Sequence, residues 1–499
     1  MNEAIRSIKK LNTNLTNNQK EIEQVFSCCQ DVNFQDWQYG ASFQYEALSI
    51  YCASLASYTT HLLQQALEHV AAYTSEKWDS ITPEKLEVCM SRSNTALQPF
   101  VVLDEYDKIL EFVMNGYIVI LFDQIGKALA FESGSTAQRQ VTEPVNEPAV
   151  HGPREGTVEN MATNLGMIRQ RLRTPDFKVE FLQVGKVIKN KIGFGYLNQV
   201  VNPSVLLEFR KRLASIVDYE VLETSYIEDW IEESTLTPFP QVRYTERTDS
   251  ATAALLDGKI IVLVENSPMI MICPALLVDF MGTAEDYYIR SVFATFIRFL
   301  RLLAFIIALT LPSIYIALST FHPELIPTVL LLAIVDSREG IPFPAFVEAL
   351  VMEISFELLR EAGIRLPRTV GSAVSIVGAL VIGQAAIMAK IASPFMVIVV
   401  ALTGIASFAI PHYDMAIALR ILRFPYMIAA SMLGGYGLMV VFLLTLLHLT
   451  CLQPLGEPYL SSLAPFKIRD LRDIFVRVPL KTMLKSPRNR RLHRSGNKG

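Results

Sequence analysis

Residues 365–411 read RLPRTVGSAVSIVGALVIGQAAIMAKIASPFMVIVVALTGIASFAIP, and this stretch largely decides the fold class of the chain. Within it, residues 370–389 are 20 consecutive positions without a formal charge. A helix of that length, rising about 1.5 Å per residue, is long enough to cross a bilayer. Glycine, alanine and serine recur along it, and such small residues let helices approach closely or leave room beside a narrow conduit. The stretch therefore predicts a membrane protein that acts inside the bilayer.

Composition divides the chain into an aqueous part and a membrane part. Of the 499 residues 51% are hydrophobic, which is too apolar for an ordinary soluble enzyme. Residues 1–289 carry a formal net charge of −14 and residues 290–499 one of +10. This asymmetry predicts an acidic aqueous domain followed by a membrane domain with basic flanks. The polar first 20 residues indicate no cleavable signal peptide.

The aqueous part shows signs of an internal repeat. Displacing the sequence by 142 positions aligns Gly116 with Gly258 and Leu121 with Leu263. Both segments alternate apolar residues around a turn, which is typical of a β-hairpin. The pattern predicts two related α+β subdomains in tandem. Their expected bounds, with the connector between them, are residues 1–132 for the first, 133–156 for a polar linker and 157–289 for the second.

The membrane part, residues 290–455, is predicted to be all-α with four to five spans and to precede a basic tail, residues 456–499. Four uncharged or nearly uncharged stretches are long enough to span: 302–320, 370–389, 394–411 and 424–452. Residues 343–363 are helical by pattern but carry several charges, and they are the possible fifth span. Residues 325–335 are too short and are expected to be re-entrant or interfacial. Basic residues flank both ends of the block, so both termini are expected to face the cytoplasm.

Several long phrases resemble the A subunits of GerA-type spore germinant receptors, including the sporulation paralogue of that family. They are GPREG at 152–156, TNLGMIRQRLRTPDFK, TPFPQVRYTER at 237–247, DYYIRSVFATFIRFLR, FHPELIPTVLLLAI, DSREGIPFPAFVEALVMEISFELLREAGIRLPR and the GALVIGQAA span. The resemblance covers residues 145–470, whereas the first 110 residues look divergent.

The resemblance implies a subunit of the inner spore membrane of an endospore-forming bacterium. It implies ring-shaped homo-oligomers that release cations when nutrients are sensed, together with a transporter-like B subunit and a lipoprotein C subunit. The basic tail, for its part, suits anionic membrane lipid, although topology alone would produce the same tail. We expect no nucleic-acid partner and no cofactor.

Two groups of residues are candidates for an ion path. Gly371, Ser375, Gly378 and Ile382 form one helical stripe, which suits either a pore lining with an apolar constriction or simple helix packing. Glu353, Glu357 and Glu361 are spaced four apart and share one helical face. In a ring of subunits they would form stacked acidic rings that attract cations. The alternative is pairing with nearby arginines, namely Arg360, Arg365 and Arg368.

Other motifs are predicted to be structural. The loop Gly152, Pro153, Arg154, Glu155 and Gly156 lacks the pattern of a phosphate-binding loop and is expected to be a rigid interdomain turn, with Arg154 available for a subunit contact. The six cysteines show no ligand spacing, so neither a disulfide framework nor a metal site is expected. His322, His412 and His448 are expected to make local hydrogen bonds. No catalytic constellation is present in the sequence, and an enzyme is not expected.

Two classes of function remain open from the sequence. The first is an oligomeric, nutrient-gated ion channel subunit of a germination receptor. The second is a non-conducting scaffold or a secondary transporter subunit of the same complex. A transporter would show repeated membrane halves with broken helices. Because the sequence repeat lies in the aqueous part alone, the first class is favoured.

Overall fold

The computed structural model describes residues 9–40, 42–56, 82–91, 100–133, 143–144, 147–148, 150–365, 378, 380–461, 463 and 475–479. These residues form two compact units. The first contains the described residues up to Ile231 together with Val242–Pro274. The second contains Glu232–Gln241 and the described residues from Ala275 onward. Each unit has its own hydrophobic core.

The first lobe of the first unit is a five-stranded antiparallel sheet with flanking helices. Its elements are α1 (Leu15–Val25), β1 (Val32–Tyr39), β2 (Tyr45–Cys52), α2 (Pro83–Ser91), β3 (Phe100–Leu103), α3 (Tyr106–Met114), β4 (Tyr117–Phe122) and β5 (Ala128–Glu132). The strands are arranged in the order β1-β2-β4-β5-β3. The central strand β4 reads YIVILF and is buried almost throughout, because apolar side chains cover both faces of the sheet.

The second lobe follows the same plan. Its elements are α4 (Met161–Arg171), β6 (Phe177–Val184), β7 (Asn190–Leu197), α5 (Pro203–Ala214), α6 (Thr224–Ile231), β8 (Arg243–Thr245), α7 (Thr248–Leu256), β9 (Ile260–Val264) and β10 (Ile270–Cys273). The strand order is β6-β7-β9-β10-β8. This lobe buries the all-apolar β9, IIVLV, in the position that β4 has in the first lobe.

The predicted repeat is confirmed by strand order and by register. Leu103 pairs with Ala128 in the first sheet, and Thr245 pairs with Ile270 in the second, which are the positions 142 residues later. Gly116 and Gly258 both adopt the left-handed conformation, with φ of 86° and 85°, ahead of the equivalent strands β4 and β9. A side chain at either position would be strained, so glycine is required at these two turns.

The two lobes also share a pair of hydrogen bonds made by an asparagine side chain near the start of the first helix. The Asn18 side chain accepts a hydrogen bond from the backbone of Asn12 (3.0 Å) and donates one back to its carbonyl (2.7 Å). Asn164 makes the same pair of bonds with Val158, at 2.8 and 2.5 Å. In both lobes one side-chain amide therefore fixes the loop that enters the first helix.

Backbone contacts join the two lobes into one unit. The amide of Val179 in β6 donates to the carbonyl of Cys28 (2.9 Å), and Gln30 donates to the carbonyl of Val179 (2.8 Å). Elsewhere between the lobes, Gly166 in α4 lies against the backbone of Ser54 so closely that a Cβ atom would overlap its carbonyl oxygen. Glycine at position 166 is therefore a packing requirement of the contact between the lobes.

Replacing Gly166 by alanine is expected to destabilise this unit, although alanine favours helices by about 1 kcal/mol over glycine. The obstacle is a backbone carbonyl, which cannot turn aside as a flexible side chain can, and overpacking of this kind costs about 1–3 kcal/mol. Chemical denaturation monitored by tryptophan fluorescence measures the effect. The control is Gly126→Ala, where the added Cβ would meet only ordinary contacts. A Gly166→Ala protein at least as stable as the wild type would refute this packing.

The second unit is helical. Its helices are α8 (Ser291–Thr320), α9 (Thr328–Ser337), α10 (Ala345–Arg365), the helical residues 380–388, α11 (Pro394–Phe408) and α12 (Tyr413–Cys451). Helices α8 and α12 are long and apolar enough to cross a membrane, and α9 and α11 are shorter apolar helices. The predicted number of four to five spans stays a prediction, because residues 366–377 and 379 lie outside the described part.

Small residues bring α8 and α12 close together. Ala304 and Ala308 of α8 lie in one core cluster with Ala416 and Ala418 of α12. Alanine at these positions permits close approach of the two backbones, which is how membrane helices associate. Helix α12 changes direction at Gly434, whose backbone is not helical (φ 60°, ψ −138°). A side chain at Gly434 would also collide with Phe321 after the end of α8.

Candidate functional site

A buried ion pair links α10 to α12 in the helical unit. The carboxylate of Glu353 accepts a hydrogen bond from Nη1 of Arg423, and both side chains are only 1% exposed. Nε of Arg423 also donates to the carbonyl of Ala308 in α8, at 2.9 Å. Charged groups at membrane depth are costly unless paired. One arginine therefore holds three helices together.

A second cluster of charges lies one turn further along α10. Glu357 accepts a hydrogen bond from Arg420 of α12 (3.1 Å) and lies 3.5 Å from Arg360 of its own helix. Arg360 in turn donates to Ser407 of α11 at 2.8 Å. Together with Glu353 and Arg423 this network contains two carboxylates and three guanidinium groups. Its net charge of +1 does not favour a cation inside it.

The third predicted acidic residue has a different environment. Glu361 is exposed and accepts a hydrogen bond from Nε of Arg365, one turn later in α10, at 2.8 Å. The structure thus turns Glu353 and Glu357 toward arginines and leaves Glu361 at the surface. Sequence analysis named Arg360 and Arg365 as alternative partners, but it did not identify Arg420 and Arg423, which are the partners in α12. The signal that was missed is that a charged arginine or glutamate in an apolar helix is costly to bury unless an opposite charge pairs with it.

A further buried glutamate was not predicted to have a role. Glu348 in α10 pairs with Arg338 at 3.1 Å, and its other oxygen accepts the backbone amide of Ser393 at 2.9 Å. Ser393 in turn caps the first turn of α11 through its hydroxyl. Since this carboxylate is 1% exposed, it connects the start of α11 to α10 as a structural group.

Part of the predicted pore stripe lies outside the described residues, namely Gly371 and Ser375. Gly378 lies against α10, where an added Cβ would come within 2.8 Å of the Leu359 side chain. Ile382 is 37% exposed. Of the two described residues of the stripe, Gly378 therefore makes a packing contact and Ile382 lies at the surface.

The helical residues 380–388 present a mixed face. Gly383 and Ala386 are buried, and Gly383 lies near Val397 of α11. Gln384 and Ala385 are exposed beside Ile382. A glutamine amide facing lipid would lack hydrogen-bond partners, at a cost of several kcal/mol for each unsatisfied group. This face is consequently suited to water or to a neighbouring subunit.

A segment between α6 and β8 packs in the core of the helical unit. Phe239 is buried there, and Tyr459 donates a hydrogen bond to the carbonyl of Pro240 at 2.9 Å. The hydroxyl of Thr237 lies 2.7 Å from Nε2 of His448, in the last turn of α12. This segment therefore belongs to the helical unit, although in sequence it lies between α6 and β8 of the second lobe.

The charged residues of the loop 152–156 and the predicted histidines all have partners. In the loop 152–156, Arg154 pairs with Glu143 and Glu155 pairs with Arg171, each at 3.1 Å. Nε2 of His412 lies 3.1 Å from the carbonyl of Gly282, and the amide of Gly435 donates to His322 at 3.3 Å. The histidines thus make hydrogen bonds, but the partners of His412 and His322 lie 130 and 113 residues away in sequence, so these bonds are not local.

An interlobe ion pair escaped sequence analysis altogether. Arg169 of α4 donates to both oxygens of Asp31 at 2.8 Å, and the two side chains are 0% and 1% exposed. Asp31 also accepts from Ser54, while the guanidinium lies over the Phe177 ring at 4.5 Å. The adjacent carboxylate raises the pKa of Arg169, and burial raises the pKa of Cys52 to about 12. The guanidinium of Arg169 therefore stays protonated, and the neighbouring Cys52 stays a neutral thiol at neutral pH.

A two-lobed α+β unit followed by apolar helices with buried charge pairs defines a class of two-part membrane protein. Comparison with known proteins gives the family. The chain matches the Bacillus/Clostridium GerA spore germination protein family over residues 20–489, and it belongs to that family. This confirms the resemblance seen in the sequence.

Individual relatives agree with this assignment. The chain is 38% identical over 479 residues to an uncharacterized membrane protein, YfkQ, of Bacillus subtilis, covering 96% of this chain and 92% of the relative. It is 46% identical to spore germination protein KA of Bacillus subtilis (75% and 69% covered) and 41% identical to spore germination protein GerLA of Bacillus cereus (78% and 80%). The N-terminal domain of the Bacillus megaterium GerK3 A subunit is similar with a TM-score of 0.42 and 24% identity, covering 55% of this chain and 99% of that domain.

Proposed function

We propose that this chain is the A subunit of a nutrient receptor in the inner spore membrane and forms a homo-oligomeric channel that releases cations during germination. The family and the spore germination relatives support the receptor assignment. As a GerA-type A subunit, the chain would act with a transporter-like B subunit and a lipoprotein C subunit. Both of its termini would lie in the cytoplasm, and membrane lipid would surround the assembled ring.

The observation that carries the channel proposal is the exposed face of residues 380–388. It combines an uncharged amide, Gln384, with small and apolar neighbours, Ala385 and Ile382. In a ring of copies, this face would turn from lipid toward a central path. Gly371, Ser375 and Ile382 would line that path, Gly378 would hold the stripe against α10, and Ile382 would supply an apolar constriction that closes by dewetting.

The glutamates of α10 take two roles in this proposal. Glu361 is exposed and would contribute one carboxylate per subunit to an acidic ring at the mouth of the path. Glu353 and Glu357, the other ring candidates, face arginines of α12 and would fix the position of α10 around the path. The net positive network that they form would keep cations on the central path between subunits.

The segment Glu232–Gln241 would couple the aqueous unit to the channel. Thr237 and Pro240 contact the end of α12 and the residues after it, while the same segment continues into β8. A nutrient signal that displaces α12 would therefore be transmitted along the backbone in either direction. A non-conducting scaffold would have no need for the polar face at Gln384.

The test uses liposomes containing the complete receptor, with Cys28 and Cys451, the exposed thiols of the described residues, replaced by serine. Cysteines placed at Ser375 and Ile382 are expected to react with a charged aqueous thiol reagent after nutrient addition and to block cation efflux, whereas Gly378 is left unchanged because a side chain there would collide with Leu359. Ile398→Cys, on an exposed position of α11, serves as the matched control and is expected to stay unreactive. An active, assembled receptor whose stripe cysteines remain unreactive would place the lining elsewhere, with residues 343–363 as the next candidate.

A further inference from the structure

Within the described residues, four polar atoms of the charge network between α10 and α12 lack a hydrogen-bond partner. Oε1 of Glu353 and Nη2 of Arg423 are buried and unpartnered, although Nη1 of Arg423 donates to the other oxygen of Glu353. Oε1 of Glu357 and Nε of Arg360 are likewise buried without a hydrogen bond. The network therefore combines two unused acceptors with two unused donors.

The side chains that carry these atoms are mostly enclosed by the helices. Those of Glu353 and Arg423 are each 1% exposed, and that of Arg360 is 7% exposed. A buried polar group without a hydrogen bond is unfavourable, and more so when the group is charged. Folded proteins leave few such groups, and ordered water is a common partner for them. Four unused atoms in one network therefore indicate a ligand between the helices.

The mixture of donors and acceptors indicates which ligand fits. A cation would lie beside the guanidinium groups of Arg360 and Arg423, and an anion would lie beside the carboxylates of Glu353 and Glu357, so each would meet like charge. Water is neutral and both donates and accepts hydrogen bonds, so it can bond to either kind of atom. Glu353 and Arg360 are seven residues apart, about 10 Å along α10. A short row of water molecules suits this spacing better than a single one.

We propose that Glu353, Glu357, Arg360 and Arg423 form a binding site for ordered water inside the helical unit. The bound molecules donate to the unused oxygens of the two glutamates and accept from Nε of Arg360 and Nη2 of Arg423. They complete the hydrogen bonding by which α10 is held against α12, so internal water is part of the native structure. This site does not depend on whether the chain conducts ions.

Phe356 lies beside the site and can report on it. The guanidinium of Arg360 lies 5.1 Å from the centroid of the Phe356 ring, and the ring packs closely against Gly404 of α11. Phe305, midway along α8, is a matched reference. It is partly buried, as Phe356 is, but it packs against the apolar cluster between α8 and α12.

The test is hydroxyl-radical footprinting of the full chain in lipid nanodiscs, in which short X-ray pulses generate radicals from water. We expect Phe356 to be oxidised severalfold faster than Phe305, because radicals form from the water beside Arg360. A soluble radical scavenger is expected to leave this oxidation largely unchanged, since it does not enter the buried site. Oxidation of Phe356 no faster than that of Phe305, or its suppression by the scavenger, overturns the site.

A pair of variants tests the role of Arg360. Arg360→Met removes the unused Nε donor and keeps an unbranched side chain, and it is expected to lower the oxidation of Phe356 severalfold. Arg365→Met removes a charge from an exposed pair on the same helix and is expected to leave the oxidation unchanged. Equal oxidation in wild type and Arg360→Met also overturns the site. If Arg360→Met does not fold, the comparison of Phe356 with Phe305 in the wild type decides alone.

Discussion

Replacing Arg169 by leucine is expected to remove a large part of the stability of the aqueous unit. The change leaves the carboxylate of Asp31 buried with the weaker donors Ser54 and Cys52 as its remaining side-chain partners among the described residues. Removing one partner of a buried pair costs about 3–5 kcal/mol. Whole domains are stable by only about 5–15 kcal/mol. All three tryptophans precede residue 232, so denaturation followed by tryptophan fluorescence reports on this unit in the full chain.

Two variants control this prediction. Arg171→Leu removes the charge two positions later in the same helix, from a pair with Glu155 that is largely solvated, and is expected to cost less than about 1 kcal/mol. The double variant Asp31→Asn with Arg169→Leu is expected to recover part of the loss, because no unpaired charge remains. Equal effects of Arg169→Leu and Arg171→Leu would show that the interlobe pair has no special contribution.

Replacing Glu353 by leucine is expected to have the largest effect in the helical unit. The change isolates the charge of Arg423 at membrane depth, where it retains the carbonyl of Ala308 as an acceptor. An arginine at the centre of a membrane helix costs about 2.5–3.5 kcal/mol by insertion measurements. We expect a lower yield of the assembled protein and a lower thermal midpoint in detergent, measured by size-exclusion chromatography at increasing temperature.

The matched control for this pair is Glu361→Leu, because Glu361 forms an exposed pair with Arg365 on the same helix. Exposed pairs contribute about 0–1 kcal/mol, so this variant is expected to assemble normally. Adding Arg423→Leu to Glu353→Leu removes the isolated charge and is expected to restore assembly in part. If Glu353→Leu alone assembles as well as Glu361→Leu, the pair does not hold α10 against α12.

The repeat in the aqueous part was predictable because hairpins and positive-φ glycines leave local signals. Alternating apolar residues around Gly116 and Gly258 predicted both hairpins, and the strand order then followed the same plan twice. The pair of Asp31 with Arg169 was not predictable in the same way. The two residues are 138 positions apart, and neither has a periodic context that identifies a partner.

In the membrane part, too, the positions of residues on one helix were predictable from the sequence, whereas their partners on other helices were not. Spacing of four placed Glu353, Glu357 and Glu361 on one helical face, but it could not tell which carboxylates turn toward another helix. The structure pairs Glu357 with Arg420 and Glu353 with Arg423, which lie 63 and 70 residues away in sequence. The segment Glu232–Gln241 likewise has no apolar pattern that reveals its place in the helical core, where Phe239 and Pro240 contact distant residues.

The most direct measurement of the central claim is nutrient-triggered cation efflux from liposomes containing this chain with its B and C subunits, alongside liposomes with the B and C subunits alone. A channel formed by this chain predicts rapid efflux on nutrient addition in the complete complex and none without the chain. A scaffold or transporter role predicts slow or nutrient-independent flux that persists without it. Efflux of equal rate in both preparations would contradict the account.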